Sequence, residues 1–141
     1  MNSPNGVDKP MLENALATVF AEWVRMLELR LIEARAGEVV LALPVTPRHV
    51  HAGNVMSGQT LMAAADTAMV LAVMSKLGGF RPMTTVQLQT SFLRPVLRDS
   101  GQVTVVAKVR RLGKTLSYGD IDFLTDGDKL AAHATATYAL V

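Results

Sequence analysis

The chain has 141 residues, half of them hydrophobic, with a formal net charge of +2 and no cysteine. That size suits one domain with a substantial core, and so apolar a composition excludes disorder beyond the ends. The missing cysteines exclude disulfides and thiolate chemistry and point to a cytoplasmic setting, while so small a charge excludes the basic field of a nucleic-acid binder and leaves room for anionic ligands.

Met1 to Val7 is polar, contains Pro4 and Gly6, and reads as a flexible terminus without the basic-then-apolar order of a secretory signal. Asp8 is placed to cap a helix over residues 8–25, whose Leu12, Leu16, Val19, Phe20 and Trp23 recur in steps of three or four and form one stripe against the core. Leu27, Leu29 and Leu31 then alternate with Glu28 and Arg30, Ala36-Gly37 marks a turn, and Val39, Leu41 and Leu43 alternate again before Pro44. The pattern predicts a β-hairpin. Thr46 to Gly53 reads as a loop.

The stretch from Asn54 to Lys76 is the centre of the chain. Twelve of the fourteen residues from Leu61 to Met74 are apolar, with Asp66 and Thr67 the interruptions. A helix this hydrophobic on every side has to be wrapped by the rest of the protein. The apolar run is shorter than the roughly 20 residues of a membrane span and carries an Asp at its middle, so it is expected in a core and not in a bilayer. An ionised carboxylate in such a place is costly unless partnered or put to use, which makes Asp66 the leading candidate for chemistry.

Ser57-Gly58-Gln59-Thr60 stands at the start of this helix, where unpaired backbone N–H groups and the positive dipole end face outward. Such an end suits an anion, or an oxygen that becomes anionic during a reaction. Gly58 and Asp66 are separated by about 12 Å along one helix and cannot reach the same carbonyl group from one chain. If both act on one substrate, two copies must meet across a two-fold axis. The expectation is a homodimer with two composite sites, or a dimer of dimers.

After Gly78-Gly79 the pattern changes to period two. Val86, Leu88, Thr90 and Phe92 mark one strand, and Val103, Val105, Ala107 and Val109 a second. The third, Leu116 to Leu124, loses parity near Gly119, where a bulge would restore it. The last, Ala131 to Leu140, is Ala and Thr with His133 and Tyr138, small enough to let a sheet curve closely. Turns fall at Pro95 to Gly101, Gly113 and Asp126-Gly127. The predicted architecture is α+β, a curved antiparallel sheet wrapped around one long central helix, in a single domain over residues 1–141 without repeats.

That order of elements, with the segment G-N-V-M-S-G-Q-T-L-M-A-A-A-D-T-A-M and the later T-T-V-Q-L-Q-T-S-F-L-R-P, resembles the hotdog-fold thioesterases, specifically the phenylacetic-acid-pathway (PaaI-like) group, from about Leu41 to the C-terminus. The resemblance implies hydrolysis of an acyl-CoA thioester between two subunits, with coenzyme A as part of the substrate and no further cofactor or metal. In that family a His-Gly-Gly motif opens the helix and an acid follows nine positions after the His. Here Ser57 stands at the His, Gly58 at the first Gly, Gln59 at the second, and Asp66 at the acid. The resemblance thus assigns Asp66 as base or nucleophile and the Gly58 N–H as the group that polarises the carbonyl. Thr85 falls where relatives often carry a hydroxyl that positions the attacking water, and His51 where some carry an Asn near the substrate. Asn54, Ser57 and Gln59, flanking the helix start, are expected among the substrate contacts.

Arg94, Arg98, Lys108, Arg110, Arg111 and Lys114 form a basic run against one acid, Asp99. One reading is a charged edge that discourages sheet-to-sheet aggregation. The resemblance offers another, in which Arg94, Arg110 and Lys114 meet the phosphates of coenzyme A. No aromatic platforms interleave these charges, against a nucleic-acid role. Ser57 as a nucleophile lacks a His at a spacing that would identify its base, and reads as a helix cap. His49, His51 and His133 lack the carboxylate or Cys cluster of a metal site. Two other functions compete: a non-catalytic acyl-CoA binding protein, and a hotdog dehydratase or hydratase, whose His–acid pairing at a different offset is missing here.

Overall fold

The computed structural model describes residues 7–141, so the predicted flexible terminus lies outside the described residues except for Val7, which is buried. Asp8 caps α1 (Lys9–Thr18) as expected, its carboxylate accepting from the Met11 N–H at 3.1 Å. The single helix expected over residues 8–25 is, however, two: the chain leaves α1 at Val19 and resumes as α2 (Glu22–Arg25). Thr18 turns its hydroxyl back onto the Asn14 carbonyl at 2.8 Å, a bond that bends helices, and β-branched Val19 follows. The break redirects the apolar stripe: Leu12 stays in the core, while Val19 and Trp23 are exposed on one side.

The hairpin is β1 (Arg30–Arg35) and β2 (Glu38–Pro44), joined through Gly37 in the left-handed region at φ +81. Its first strand starts later than the alternation implied, because Leu27 is buried in the turn after α2 and Glu28 sits at φ 59. The loop that follows contains one short 3-10 turn at Pro47–His49.

α3 (Gly58–Leu77) is 20 residues long, capped by Ser57 at its start and closed by Gly78 in the left-handed conformation. It extends past the apolar run in both directions, so its length alone would cross a bilayer, and the argument from shortness fails. Burial decides the matter instead. In its most apolar window 67% is buried inside the fold, in the manner of a core helix.

Around it runs a six-stranded antiparallel sheet in the order β1-β2-β4-β5-β6-β3, completed by β3 (Met83–Phe92), β4 (Gln102–Leu112), β5 (Leu116–Thr125) and β6 (Lys129–Leu140). The small inward residues of β6, Ala132, Ala134 and Ala136, are fully buried. On β5 the helix comes closer still: a Cβ at Gly119 would lie 2.4 Å from the Lys108 carbonyl oxygen and 2.5 Å from Cε of Met69. Only glycine fits there. The bulge expected on this strand is not on it. Ser117, Gly119, Ile121, Phe123 and Thr125 alternate inward without a break, and the register shift falls on β4, between Val109 and Arg111.

A second shift, between Thr85 and Gln87 on β3, bears directly on function. The residues of β3 opposite the buried positions of β6 are Phe92, Thr90, Leu88, then Thr85 and Met83. Val86 is the extra residue and is 60% exposed, contrary to the uninterrupted alternation of Val86 with Leu88. The bulge therefore moves Thr85 onto the helix side of the sheet.

Candidate active site

Asp66 lies two turns into α3, among alanines that let neighbouring elements come close. It is half-buried, not sealed in the core, because one side of the helix here opens on a cavity of about 320 Å3. Asp66, Thr67, Thr85 and Tyr138 give this cavity its polar patch, and Phe20, Trp23, Val24, Val70, Phe80 and Met83 supply apolar walls. The broken N-terminal helix thus forms a wall of the cavity, which the uniform stripe did not foretell.

The carboxylate has two hydroxyl partners. Thr85 Oγ1 donates to Asp66 Oδ1 at 2.9 Å. Tyr138 Oη lies 2.5 Å from the same Oδ1 and 2.9 Å from the Asp66 carbonyl oxygen. Thr85 and Tyr138 are cross-strand partners on β3 and β6, so the bulge at Val86 is what brings both hydroxyls to one oxygen. Burial, and then the charge of Asp66, push the Tyr138 phenol far above its ordinary value. Tyr138 is therefore a donor to a carboxylate across the working pH range.

At the start of α3, Ser57 Oγ accepts from the Thr60 N–H at 3.2 Å and lies 2.8 Å from Thr60 Oγ1. His49 joins this network, its Nδ1 3.4 Å from Thr60 Oγ1. Ser57 is the helix cap, as its spacing implied. With Thr60 bonded to Ser57 Oγ and the Leu61 N–H to the Ser57 carbonyl, the Gly58 N–H lies before the first intrahelical bond. It borders a second cavity, of about 340 Å3, lined by Val55, Met56, Leu61 and Phe92 to Val96, with Arg94 at its rim. A Cβ on Gly58 would come within 3.1 Å of the Phe92 ring.

The site residues expected from sequence thus fall into separate places. Asp66 and Thr85 are together in the first cavity; Gly58 and Arg94 are together at the second. Gly58 and Asp66 thus open on different cavities of one chain. His51 and Asn54 occupy an exposed turn, in which His51 Nδ1 accepts from the Gly53 N–H at 2.9 Å and Asn54 adopts φ 64. Gln59 is exposed on the first helical turn. Arg110 and Lys114 line neither cavity, and Arg110 is ion-paired with Asp120 at 3.0 Å. The basic run is thus not opposed by Asp99 alone: Asp120 reaches it across the β4–β5 ladder, a neighbour that linear order conceals. Among the described residues, no three His, Asp or Glu side chains cluster as metal ligands.

Sequence reasoning missed Tyr138, Phe20, Trp23 and Phe80 as site residues. A signal was present for Tyr138. Its parity places it inward beside three buried alanines, and a buried phenol requires a hydrogen-bond partner.

Residues 49–132 match the thioesterase superfamily. The chain belongs to that superfamily. It is 30% identical over 107 residues, 75% of this chain and 77% of the relative, to a Thermoplasma volcanium protein named "Putative esterase TV1331". Among solved structures, it is similar to thioesterase HI1161 of Haemophilus influenzae at TM-score 0.81 and 25% identity, covering 92% of this chain and 90% of that one. PaaI of the E. coli phenylacetic acid degradation operon shares the fold at TM-score 0.79 and 24% identity, with 92% and 91% covered. The fold is the hotdog fold of these thioesterases. Gly58, Asp66 and Thr85 lie within the stretch matched to the superfamily, whereas Tyr138 and the wall from Val19 to Val24 lie outside it.

Proposed function

We propose that this protein is an acyl-CoA thioesterase whose active site is completed by a second copy of the chain. The observation that carries the reading is the Asp66 carboxylate, held by the Thr85 and Tyr138 hydroxyls at the wall of an apolar cavity. A carboxylate oriented by two hydroxyls beside an apolar chamber has the geometry of a general base or nucleophile acting on an acyl group.

In this reading the acyl chain occupies the cavity between Phe20, Trp23 and Phe80. The thioester carbonyl oxygen receives the Gly58 N–H of one copy, assisted by the positive end of α3, as negative charge develops on it. Asp66 of the other copy removes a proton from water, which adds to the carbonyl carbon. The tetrahedral adduct collapses by breaking the carbon–sulfur bond, and the thiolate leaves as coenzyme A after taking up the proton. The alternative is direct attack by Asp66, giving a mixed anhydride that water then cleaves to acid and free carboxylate. In this reading Arg94, which lines the Gly58 cavity, meets a phosphate of coenzyme A.

A second copy is supported by two features. Gly58 and Asp66 open onto different cavities of one chain. In addition, β3 is an edge strand of ten residues, bonded only to β6, with Val86 and Phe92 exposed along it. Long uncovered edges of this kind pair with another chain unless they are blocked. The deciding assay is thiol release across a panel of aryl and aliphatic acyl-CoA esters, comparing wild type with Asp66→Asn. Turnover by wild type and its loss in the variant are expected. Binding without hydrolysis by the wild type would make it an acyl-CoA binding protein, and full turnover by the variant would remove Asp66 from its role.

A further inference from the structure

We propose that Tyr138 is a positioning residue for the hydrolytic step, fixing Asp66 through Oδ1 so that Oδ2 alone is presented to the attacking water or to the thioester carbon. The inference rests on the thioesterase reading and adds to it a residue outside the stretch matched to the superfamily. Both hydroxyl donors converge on a single oxygen, Tyr138 at 2.5 Å and Thr85 at 2.9 Å, and among the described residues Oδ2 receives no hydrogen bond. A carboxylate held in this way is no longer two equivalent bases. Oδ1 has its lone pairs occupied, and Oδ2 keeps its own.

The two donors are not equal in rigidity. Thr85 is solvent-accessible on an edge strand, next to a bulge. Tyr138 is 1% exposed on β6, between β5 and β3, and its hydroxyl also reaches the Asp66 carbonyl oxygen at 2.9 Å. A ring packed on all sides and tied to both the side chain and the backbone of Asp66 cannot follow a drifting carboxylate. It fixes the χ angles of Asp66 relative to the helix on which the carboxylate stands. Among the described residues, Asp66 and Tyr138 are the only titratable side chains lining this cavity, and no other charge there competes for the contact.

The test combines turnover with a measurement independent of it. Tyr138→Phe keeps the ring and its packing and removes only the hydroxyl. The expected result is a fall in kcat of about 10–100-fold, the scale of a misplaced reacting group, with KM unchanged and the melting temperature close to wild type. Unchanged kcat, or a raised KM at unchanged kcat, overturns the proposal, because a merely structural or binding role moves those quantities instead. The second arm uses Tyr118→Phe, which leaves Tyr138 as the sole tyrosine, and follows tyrosinate absorbance against pH with and without Asp66→Asn. Removing the carboxylate is expected to let Tyr138 ionise at lower pH. Identical titrations overturn the proposal whatever the turnover. Absence of turnover in the wild type would defeat the thioesterase reading, and this second arm alone would then decide whether the tyrosine governs the carboxylate.

Discussion

Gly58→Pro is the substitution that isolates the proposed oxyanion donor, because it deletes one N–H at a position where proline is otherwise welcome. Gly58 is the first residue of α3, where proline is favoured since its missing N–H has no intrahelical role. The residue before it, Ser57, already sits at φ −67 and ψ 145, the conformation that a following proline demands. The added ring carbons meet Phe92, with Cβ 3.1 Å from its Cζ. Phe92 must give way by a few tenths of an ångström. Gly58→Ala adds the same Cβ against Phe92, so that the ring must give way equally, while keeping the N–H, and is the control. Loss of one oxyanion donor lowers kcat by about 100–1,000-fold, or roughly 2.7–4 kcal/mol. Thiol release should therefore fall by that factor in the Pro variant relative to the Ala variant, with similar melting temperatures. Equal activities would refute the donor role.

The same variant tests whether the site is shared. In a dimer built from Gly58 of one copy and Asp66 of the other, a heterodimer of Gly58→Pro and Asp66→Asn chains has one site intact and one doubly damaged. Refolding the two inactive proteins together in equal amounts should restore about a quarter of wild-type activity, since half the dimers are mixed and each carries one working site of two. No recovery, with subunit exchange verified, would refute a site made in trans.

Three further outcomes are expected. Gly119→Ala forces a methyl group against the Lys108 carbonyl and Met69 and should destabilise the fold by about 1–3 kcal/mol in denaturant titration, the cost of overpacking. Ser57→Ala removes the cap of α3 and should cost about 1 kcal/mol, with the melting temperature as readout; thermal stability equal to wild type would deny the cap its role. Tyr138, whose phenol is raised above its ordinary 10.0 by burial and then by Asp66, keeps its proton in the fold after the unfolded chain has lost it. Its contribution to stability is complete below pH 10 and declines above it, by at most about 1.4 kcal/mol per pH unit. Chemical denaturation from pH 9 upward should show that decline in wild type and a shallower one in Tyr138→Phe.

The parts legible in the sequence were those set by composition and local pattern. The apolar run gave α3, and a helix without a polar side leaves the rest of the chain no option but to enclose it. Alternation gave the strands, and the spacing of Gly58 and Asp66 kept the two residues apart on one chain. What escaped was set by contacts between strands. The β3 bulge leaves no mark in M-T-T-V-Q-L, because one extra residue is visible only against the partner strand. The missing parity near Gly119 suggests a defect of β5, yet Gly119 is inward in unbroken alternation and glycine is there because Met69 presses on it. The ion pair of Arg110 with Asp120 depends on a ladder that joins residues ten apart. The break at Val19 was hidden by a stripe that continues through it in register.

The bulge at Val86 connects these failures to the site, and it makes the apparent conflict in Asp66 comprehensible. Along an unbroken β3, the alternation that turns Leu88, Thr90 and Phe92 toward the helix would place Val86 inward and Thr85 outward. An apolar side chain would then face the carboxylate, and Asp66 would retain one hydroxyl, that of Tyr138. A half-buried carboxylate with so little hydrogen bonding is unfavourable. The extra residue exchanges Val86 for Thr85 at that position and puts valine on the outside. An irregularity in the sheet thus supplies the second hydroxyl to a carboxylate beside an apolar cavity. Deleting Val86 should consequently give an unbroken ladder in which Thr85 remains opposite Tyr138 and Leu88 opposite Ala136, so that the shortened chain folds, keeps the Thr85 contact and retains turnover. Thr85→Val, which puts an apolar side chain where the bulge had placed a hydroxyl, should instead lower turnover, and native activity in that variant would show that Tyr138 alone holds the carboxylate.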